Sequence, residues 1–319
     1  MPNFHTDPAL WLETFKVELT SASANLYGNG RQQSQIRLTV ELQTGQPPLT
    51  EAQQKSLKLV LERDDGTYEP LPFEGANALL WAQTSVKDER YDLMPGSGTQ
   101  APIAPDTARA FSKVMYVTTR AAGGANAKLR AMIQKDERTT YYTDNESGFD
   151  SYVILSTITP PTFSEGDYVW VRSYERGNIN NVFLHEYKLQ LKGLGLSSPT
   201  QTIAPGMIRW QRNEPSETYA TYVGMAYPGT DKTVHYESAI KTGNTFVPAR
   251  QANTPGNDAL VLVLNGADNI NFYSDGLDYG GPCSVKVTDR HGNEHILSFA
   301  FASEGSDLER RSKIVVSYS

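Results

Sequence analysis

The chain has 319 residues, 39% hydrophobic and 20% charged, an ordinary globular composition with enough length for two domains. Its formal net charge of −7 disfavours general binding to nucleic acid or anionic membranes, because an acidic surface repels phosphate groups. Cys283 is the only cysteine, which excludes an intramolecular disulfide and favours a packed thiol over a nucleophile. No apolar run is long enough for a transmembrane helix, so no stable membrane span is expected.

The N-terminal stretch MPNFHTDPALWLETF has neither the basic segment nor the apolar segment of a secretory signal. We therefore expect the protein to be synthesised in the cytoplasm without a cleaved signal. If the protein acts outside the cell, it would then need another export route or release inside a particle.

The first half of the chain contains segments in which apolar and polar residues alternate. Phe15, Val17 and Leu19 alternate in this way, as do residues 35–42 and 57–61. A period of two places the apolar side chains on one face, which predicts half-buried strands.

Turn and helix signals separate these strands. The DDGT stretch at residues 64–67 predicts a hairpin turn. Residues 113–119 and 128–134 flank the stretch AAGGA and are predicted to form a second hairpin. Residues 50–55, which begin with an N-capping threonine, and residues 105–111 each favour a short helix.

The second half continues the pattern of short strands. They are predicted over residues 151–158, 167–173, 182–191, 218–225, 232–239, 259–264, 284–288, 295–302 and 313–318. Many short strands separated by turns favour sheets packed face to face over a helical fold.

Two stretches resemble bacterial immunoglobulin-like domains of the invasin and intimin type. Gly28–Leu42, followed by Thr44–Leu49, is similar to the family's glycine-containing lead, alternating strand and Gly-x-Pro turn. Val285–Asp289, followed by Gly292-Asn293, is similar to the family's strand that ends in Asp-x-x-Gly-Asn. The resemblance implies a β-sandwich fold and, for function, adhesion.

The predicted fold class is therefore all-β. An immunoglobulin-like β-sandwich domain is expected over residues 1–148, followed by a larger β-sandwich-type region over residues 149–319. The domain boundary is placed in the polar stretch TDNESGFD, and the stretch LSSPTQTIAP at residues 196–205 is a possible second division.

His291, Glu294 and His295 form the most distinctive cluster of potential metal ligands. Two histidines four residues apart bind zinc well on one helical face. Here Gly292 and Asn293 lie between them and strand-like residues flank them, which favours the turn of a β-hairpin. A zinc site would also require a third ligand from elsewhere in the chain.

Asp268, Asp275 and Asp278 lie in a second acidic stretch, rich in glycine and asparagine. Their carboxylates are suitable ligands for Ca²⁺, which binds six to eight oxygens. The spacing differs from that of an EF-hand loop, so a polar loop is the simpler interpretation and Ca²⁺ the alternative.

Motifs for catalysis are missing from the sequence. It has no Gly-x-Ser-x-Gly stretch, no Walker A motif and no complete dinucleotide fingerprint. We therefore expect a protein that is not an enzyme and needs no cofactor.

Aromatic and arginine residues are the best candidates for a binding surface. Trp170 alternates with valines in the stretch YVWVR, which ends at Arg172, so that one face of this strand carries the aromatic rings. The other candidates, chosen because Trp, Tyr and Arg are enriched where proteins bind partners, are Trp210, Arg212, Tyr219 and Tyr222. Packing within a β-core is the competing interpretation for all of them.

These observations favour a non-catalytic structural or interaction protein that acts through β-sandwich surfaces. A component of a phage tail, an injection particle or a cell-surface assembly fits them, with protein subunits, a cell-surface receptor or a glycan as partner, and with the chain in an oligomer. Two alternatives stay open. One is a secreted toxin, for which residues 113–134 are the nearest candidate for a pore-forming hairpin, and the other is a carbohydrate-binding protein.

Overall fold

The computed structural model describes residues 7–73, 80–94, 107, 109–204, 206–214, 217–240, 246–268 and 280–318. The chain forms two compact units, Met1–Pro161 and Thr162–Ser319. The prediction of an all-β protein is confirmed, because nearly all the regular structure in these described ranges is strand.

The first unit contains two sheets. Its elements are β1 (Leu12–Leu19), β2 (Asn25–Tyr27), β3 (Ser34–Leu42), α1 (Glu51–Ser56), β4 (Lys58–Glu62), β5 (Tyr68–Pro70), β6 (Trp81–Thr84), β7 (Ala110–Thr119), β8 (Asn126–Gln134), β9 (Thr140–Tyr142) and β10 (Val153–Ile158). One sheet has the order β1-β3-β7-β6, and the other has the order β2-β10-β8-β4-β5, with β9 also paired to β8. All strand pairs are antiparallel except β2 with β10.

Both sheets of the first unit contribute to one hydrophobic core. Along β3 the buried residues alternate strictly, with Ile36, Leu38 and Val40 fully buried, as the sequence predicts. The helix expected near residue 50 is confirmed as α1, with Thr50 and Gln53 forming a capping box. The predicted turn at residues 64–67 is confirmed by the pairing of β4 with β5.

The hairpin predicted over residues 113–134 is wrong. β7 pairs with β3 and β6 in one sheet, whereas β8 pairs with β10, β4 and β9 in the other. The glycine-rich turn thus carries the chain from one sheet to the other and does not return it alongside the same strand. The helix expected over residues 105–111 lies partly outside the described residues, and Ala110 already belongs to β7.

The second unit also contains two sheets. Its elements are β11 (Tyr168–Gly177), β12 (Phe183–Leu191), β13 (Leu196–Ala204), β14 (Met207–Glu214), β15 (Glu217–Ala226), β16 (Val234–His235), β17 (Ala259–Ala267), β18 (Cys283–Asp289), β19 (Glu294–Phe301), α2 (Asp307–Ser312) and β20 (Ile314–Tyr318). The larger sheet has the order β11-β12-β17-β15-β14, with β16 paired to β15, and the smaller has the order β13-β18-β19-β20.

A core of apolar side chains fills the space between these two sheets, with contributions from both. Two smaller apolar clusters lie on the opposite face of the larger sheet, where residues of the described ranges 234–240 and 246–252 cover it. β17 is therefore buried along its whole length, and its residues 259–264 form a continuous apolar run without alternation.

The unit boundary differs in position from the one placed by sequence. β10 pairs with β2 and β8, so residues 153–158 lie within the first unit, which ends at Pro161. Residues 196–204, where a second division was considered, form β13 and pair with β18 inside the second unit.

Candidate functional site

The second unit has an open side between the outermost strands of its two sheets. β11 is the edge of the larger sheet and β20 the edge of the smaller. Tyr168, at the start of β11, stacks on Tyr318, at the end of β20, with ring centroids 4.3 Å apart. Further along, Arg172 and Ile314 line the same cavity, so the two edges run antiparallel across the gap.

We call this gap the edge groove. It has a volume of about 580 Å³ and is lined by Glu165, Trp170, Arg172, Tyr187, Lys313, Ile314, Val315 and Val316. Two of the residues predicted to bind, Trp170 and Arg172, are therefore placed together in one cavity. Trp170 and Arg172 lie on the same face of β11, because side chains two positions apart on a strand point to the same side.

The floor of the edge groove is aromatic. The Trp170 ring stacks on Tyr187 with centroids 5.0 Å apart and planes 15° apart, and it lies 5.6 Å from the Phe299 ring. The Tyr187 hydroxyl donates a hydrogen bond of 3.0 Å to the carbonyl of Ser312, which fixes the ring from below. The floor is therefore a packed aromatic surface, which suits an apolar side chain or a flat ring.

Cationic side chains flank this floor. The Arg172 guanidinium lies over the Tyr187 ring, 5.4 Å from its centroid, and donates to the Tyr187 hydroxyl at 3.0 Å. It also pairs with Glu175 at 3.2 Å. Lys313 is exposed at the opposite rim. This part of the groove can therefore hold a carboxylate next to an apolar group.

An acidic cavity continues the groove beyond Arg172. It has a volume of about 650 Å³, and its lining includes Glu175, Glu304 and Glu309. Arg172 and Lys313 line both cavities, so these carboxylates lie next to the cationic rim of the edge groove.

His185 lies buried beside the acidic cavity, with 1% of its side chain exposed. Its Nε2 atom is 3.6 Å from Glu175 Oε1, and neither ring nitrogen has a hydrogen bond of normal geometry. Burial, together with the positive charge of Arg172, lowers the pKa of His185 from its ordinary value of 6.5. The ring is therefore neutral at pH 7.

The cluster around His295 belongs to the turn of a hairpin, as predicted from Gly292 and Asn293. β18 pairs with β19, and Gly292 adopts a φ of 81° in the turn. The buried Asp289 carboxylate accepts hydrogen bonds from the backbone amides of His291 at 2.7 Å and Asn293 at 3.0 Å. The carboxylate thus closes the turn.

A buried relay extends from this turn. His295 Nε2 lies 3.3 Å from Asp289 Oδ2, and His295 Nδ1 lies 2.6 Å from the Tyr168 hydroxyl. Burial, with smaller contributions from Tyr318 and nearby carboxylates, raises the pKa of Tyr168 to about 12. The phenol therefore stays protonated, and its hydrogen bond with His295 joins the turn to β11.

Among the described residues, no group of three or more His, Cys, Asp or Glu side chains is arranged to hold a metal ion. Asp275 and Asp278, two of the three candidates for Ca²⁺, lie outside the described residues. Asp268 is partly buried at the end of β17. Cys283 is fully buried, and burial raises the pKa of its thiol to about 12, so it carries no thiolate at neutral pH.

Three of the remaining predicted binding residues, Trp210, Tyr219 and Tyr222, do not line the edge groove. Trp210 and Tyr222 pack into the cluster on the opposite face of the larger sheet, and the Tyr222 hydroxyl donates to the carbonyl of Glu237 at 2.9 Å. The Tyr219 ring lies 4.7 Å from the guanidinium of Arg311. Arg212 belongs to β14, where the structure describes only its backbone.

Two buried charged residues of the second unit were not predicted from the sequence. Arg311 on α2 is 1% exposed and donates to the carbonyl of Ala267 at 3.0 Å. Burial lowers its pKa to about 10. Glu186 is fully buried and accepts from the backbone amides of Asn253 and Thr254 at 2.7 and 2.6 Å. The only sequence signal for Glu186 is that a charged residue lies within a predicted strand.

A smaller aromatic cleft lies in the first unit, with a volume of about 400 Å³. Its lining includes Tyr68 and Tyr142, whose rings stack with centroids 4.4 Å apart, as well as Asp144 and Ser147. Burial and the neighbouring carboxylate of Asp144 raise the pKa of Tyr68 to about 12. The cleft therefore offers hydroxyl groups and a carboxylate beside ring faces.

Comparison with known proteins gives no family for this chain. No family model matches the sequence, and no curated protein matches it significantly. Among the described residues, no helix is long and apolar enough to cross a membrane.

Proposed function

We propose that the protein is a non-catalytic subunit of a larger assembly and that it binds a partner protein at the edge groove. The observation that supports the proposal is the groove itself, an open gap between two edge strands with a packed aromatic floor. Unpaired sheet edges are templates for pairing with other chains. The groove places Trp170, Tyr187 and Arg172, residue types enriched where proteins bind each other, beside those edges.

The assembly we propose is a phage tail, an injection particle or a cell-surface structure whose subunits fold in the cytoplasm. We propose further that the first unit is an immunoglobulin-like β-sandwich and that the second unit is a β-sandwich. The pair of sheets around a hydrophobic core in each unit supports this proposal. An experimental structure of the chain would test the topology.

The native mass of the protein tests the assembly. Light scattering on a sizing column should give a large species of fixed stoichiometry, either for the purified protein or in the producing cell's lysate. The variant Lys313→Glu reverses a charge at the groove rim and should reduce the assembled fraction. Lys55→Glu changes an exposed lysine on α1 and should leave it unchanged. A clean monomer in both samples would contradict the proposal.

A second candidate function is carbohydrate binding at the Tyr68–Tyr142 cleft of the first unit. Tyrosine faces next to a carboxylate and hydroxyl groups suit the apolar and polar faces of a sugar ring. A glycan panel would test this function, with Tyr142→Ala expected to abolish any binding. If Trp170→Ala rather than Tyr142→Ala removed binding, the sugar would bind at the edge groove and not at the cleft.

A further inference from the structure

The two strands that border the edge groove differ in how well they are protected against pairing. β11 carries Arg172, Glu175 and Arg176 and has a register shift between Arg172 and Tyr174, and charges and bulges of this kind discourage the addition of another strand. β20 has the sequence IVVSY, without a charge, a proline or a shift in register. An added strand would therefore pair with β20.

The register of β20 determines which of its backbone groups face the groove side. The amide of Ala302 donates to the carbonyl of Lys313 at 2.9 Å, so Lys313 is in a hydrogen-bonded pair with β19. In an antiparallel ladder such pairs alternate, which turns the N–H and C=O groups of Ile314, Val316 and Tyr318 away from β19. These groups form a row along the free edge.

We propose that the edge groove takes an extended segment of a partner protein, which pairs with β20 as an additional strand of the smaller sheet. This inference rests on the proposed function and specifies how the partner binds. Main-chain hydrogen bonds to the free edge would supply affinity. Pockets for alternate side chains would supply specificity, as in other cases of strand addition.

The lining of the groove defines the side chains that such a segment presents. Alternate residues of a strand lie about 6.6 Å apart on one face. At the level of Val316 an inward side chain would meet the Trp170 ring, since Trp170 contacts Phe299 and Phe299 pairs with Val316. At the level of Ile314 the next one would meet Arg172 and Lys313. The expected pattern is an apolar residue, then an acidic residue two positions away.

A panel of synthetic peptides tests the pattern on the full chain. Each peptide alternates threonine with groove-facing residues, as in acetyl-Thr-Val-Thr-Val-Thr-Asp-Thr-amide, with versions that carry Leu, Ile or Phe for Val, and with the reversed order. Fluorescence anisotropy should detect binding, and replacement of Asp by Lys should weaken it about tenfold. If no peptide binds more tightly than about 1 mM, the proposal is overturned.

Main-chain pairing is tested separately from side-chain contact. Two N-methylated versions of the best peptide block alternate sets of its amides. Only one version should lose binding, by about tenfold or more, because one set of amides faces β20 and the other faces solvent. Equal binding by both versions would overturn the strand pairing.

The protein side is tested with Val316→Pro, which removes an edge donor without removing a bond to β19. Val316→Ala is the matched control, because it trims the side chain and keeps the donor. The proline variant should bind the peptide about tenfold more weakly than the alanine variant. If the proline variant does not fold, the methylated peptides decide the question. An assembly that is lost in Lys313→Glu but kept in Val316→Pro would leave the proposed function standing and reject strand addition.

Discussion

Arg311 shows how single buried residues hold the second unit together. Its guanidinium lies under Phe183 and Tyr219, with 5.1 and 4.7 Å from its carbon to the ring centroids. Carbonyl oxygens and the Thr221 hydroxyl accept its hydrogen bonds, and in the described part of the chain no carboxylate lies close enough to form an ion pair with it. The residue therefore joins α2 to the larger sheet through polar contacts that a hydrophobic residue could not make.

His185 should make stability depend on pH. Its pKa is lowered by burial in the folded protein, whereas in the unfolded chain it lies near 6.5. The unfolded state therefore binds more protons at low pH. The contribution of the neutral His185 ring to the stability of the folded protein is fully present above pH 6.5. It is lost as the pH falls through that value toward the pKa of the folded state.

Urea unfolding at about pH 7.5 and about pH 5 measures this effect. We expect the wild type to lose stability between the two values, and His185→Gln to lose less. His235→Gln is the matched control because His235 is exposed, and it should behave like the wild type. An equal loss in His185→Gln and in the wild type would exclude His185 as the cause.

Glu186 should be critical for the segment that covers the larger sheet. Its Oε1 and Oε2 atoms accept hydrogen bonds from Asn253 and Thr254, and the side chain is fully buried. Glu186→Ala leaves these donors without acceptors and should reduce the free energy of unfolding by about 3 kcal/mol. Glu186→Gln should cost less, since one acceptor is retained.

Urea denaturation provides the comparison for these variants, with Glu175→Ala as the control. Glu175 is more than half exposed, so its removal should change stability by about 0.5 kcal/mol or less. Equal effects of Glu186→Ala and Glu175→Ala would show that the buried carboxylate does not hold the covering segment in place.

At the scale of elements, the β18–β19 hairpin depends on one carboxylate. Asp289 accepts hydrogen bonds from two backbone amides, the Asn293 side chain and His295. Asp289→Ala should lower the free energy of unfolding by about 3 kcal/mol. Asp289→Asn keeps one acceptor and should cost about half as much. Thermal unfolding of the two variants measures the difference, and equal losses would mean that the turn is set by Gly292 alone.

Strands such as β3 and β19 could be predicted because one face is buried and the other is closer to solvent. Apolar and polar residues therefore alternate along the strand with a period of two. The path between strands could not be predicted in the same way. The glycine-rich turn after β7 has the residues of a hairpin, yet β7 and β8 pair in different sheets. Turn chemistry describes how tightly the chain bends, whereas strand partners depend on contacts far apart in sequence.

The same limit applies to the edge groove. Trp170 and Arg172 were both predicted as binding residues, and the structure places them on one face of β11 because they lie two residues apart. Tyr187 and Lys313 reach the groove through the pairing of distant strands, which no local pattern encodes. Trp210 and Tyr222 have the same composition signal but pack on the opposite face of the sheet. Composition therefore identified residues of the right type, and topology decided which of them meet.

At the scale of the whole molecule, each unit has its own sheets and its own core. The core residues of the first unit lie between Trp11 and Leu155, and the main core of the second lies between Tyr168 and Ile314. No sheet contains strands from both units among the described residues. Units of about 160 residues are large enough to bury a stabilising core.

We therefore expect each unit to fold when produced alone, as residues 1–161 and residues 162–319. Each fragment should show one cooperative thermal transition and the near-ultraviolet circular dichroism of packed aromatic residues, because the core clusters and strand pairs of its described residues lie within it. The sum of the two fragment spectra should reproduce that of the whole chain. A fragment that exposes hydrophobic surface, shown by binding of a dye such as ANS, would mean that its core is incomplete without the other unit. In that case the peptide and Val316 experiments at the edge groove would require the full chain, whereas two folded fragments would allow them to be repeated on residues 162–319 alone.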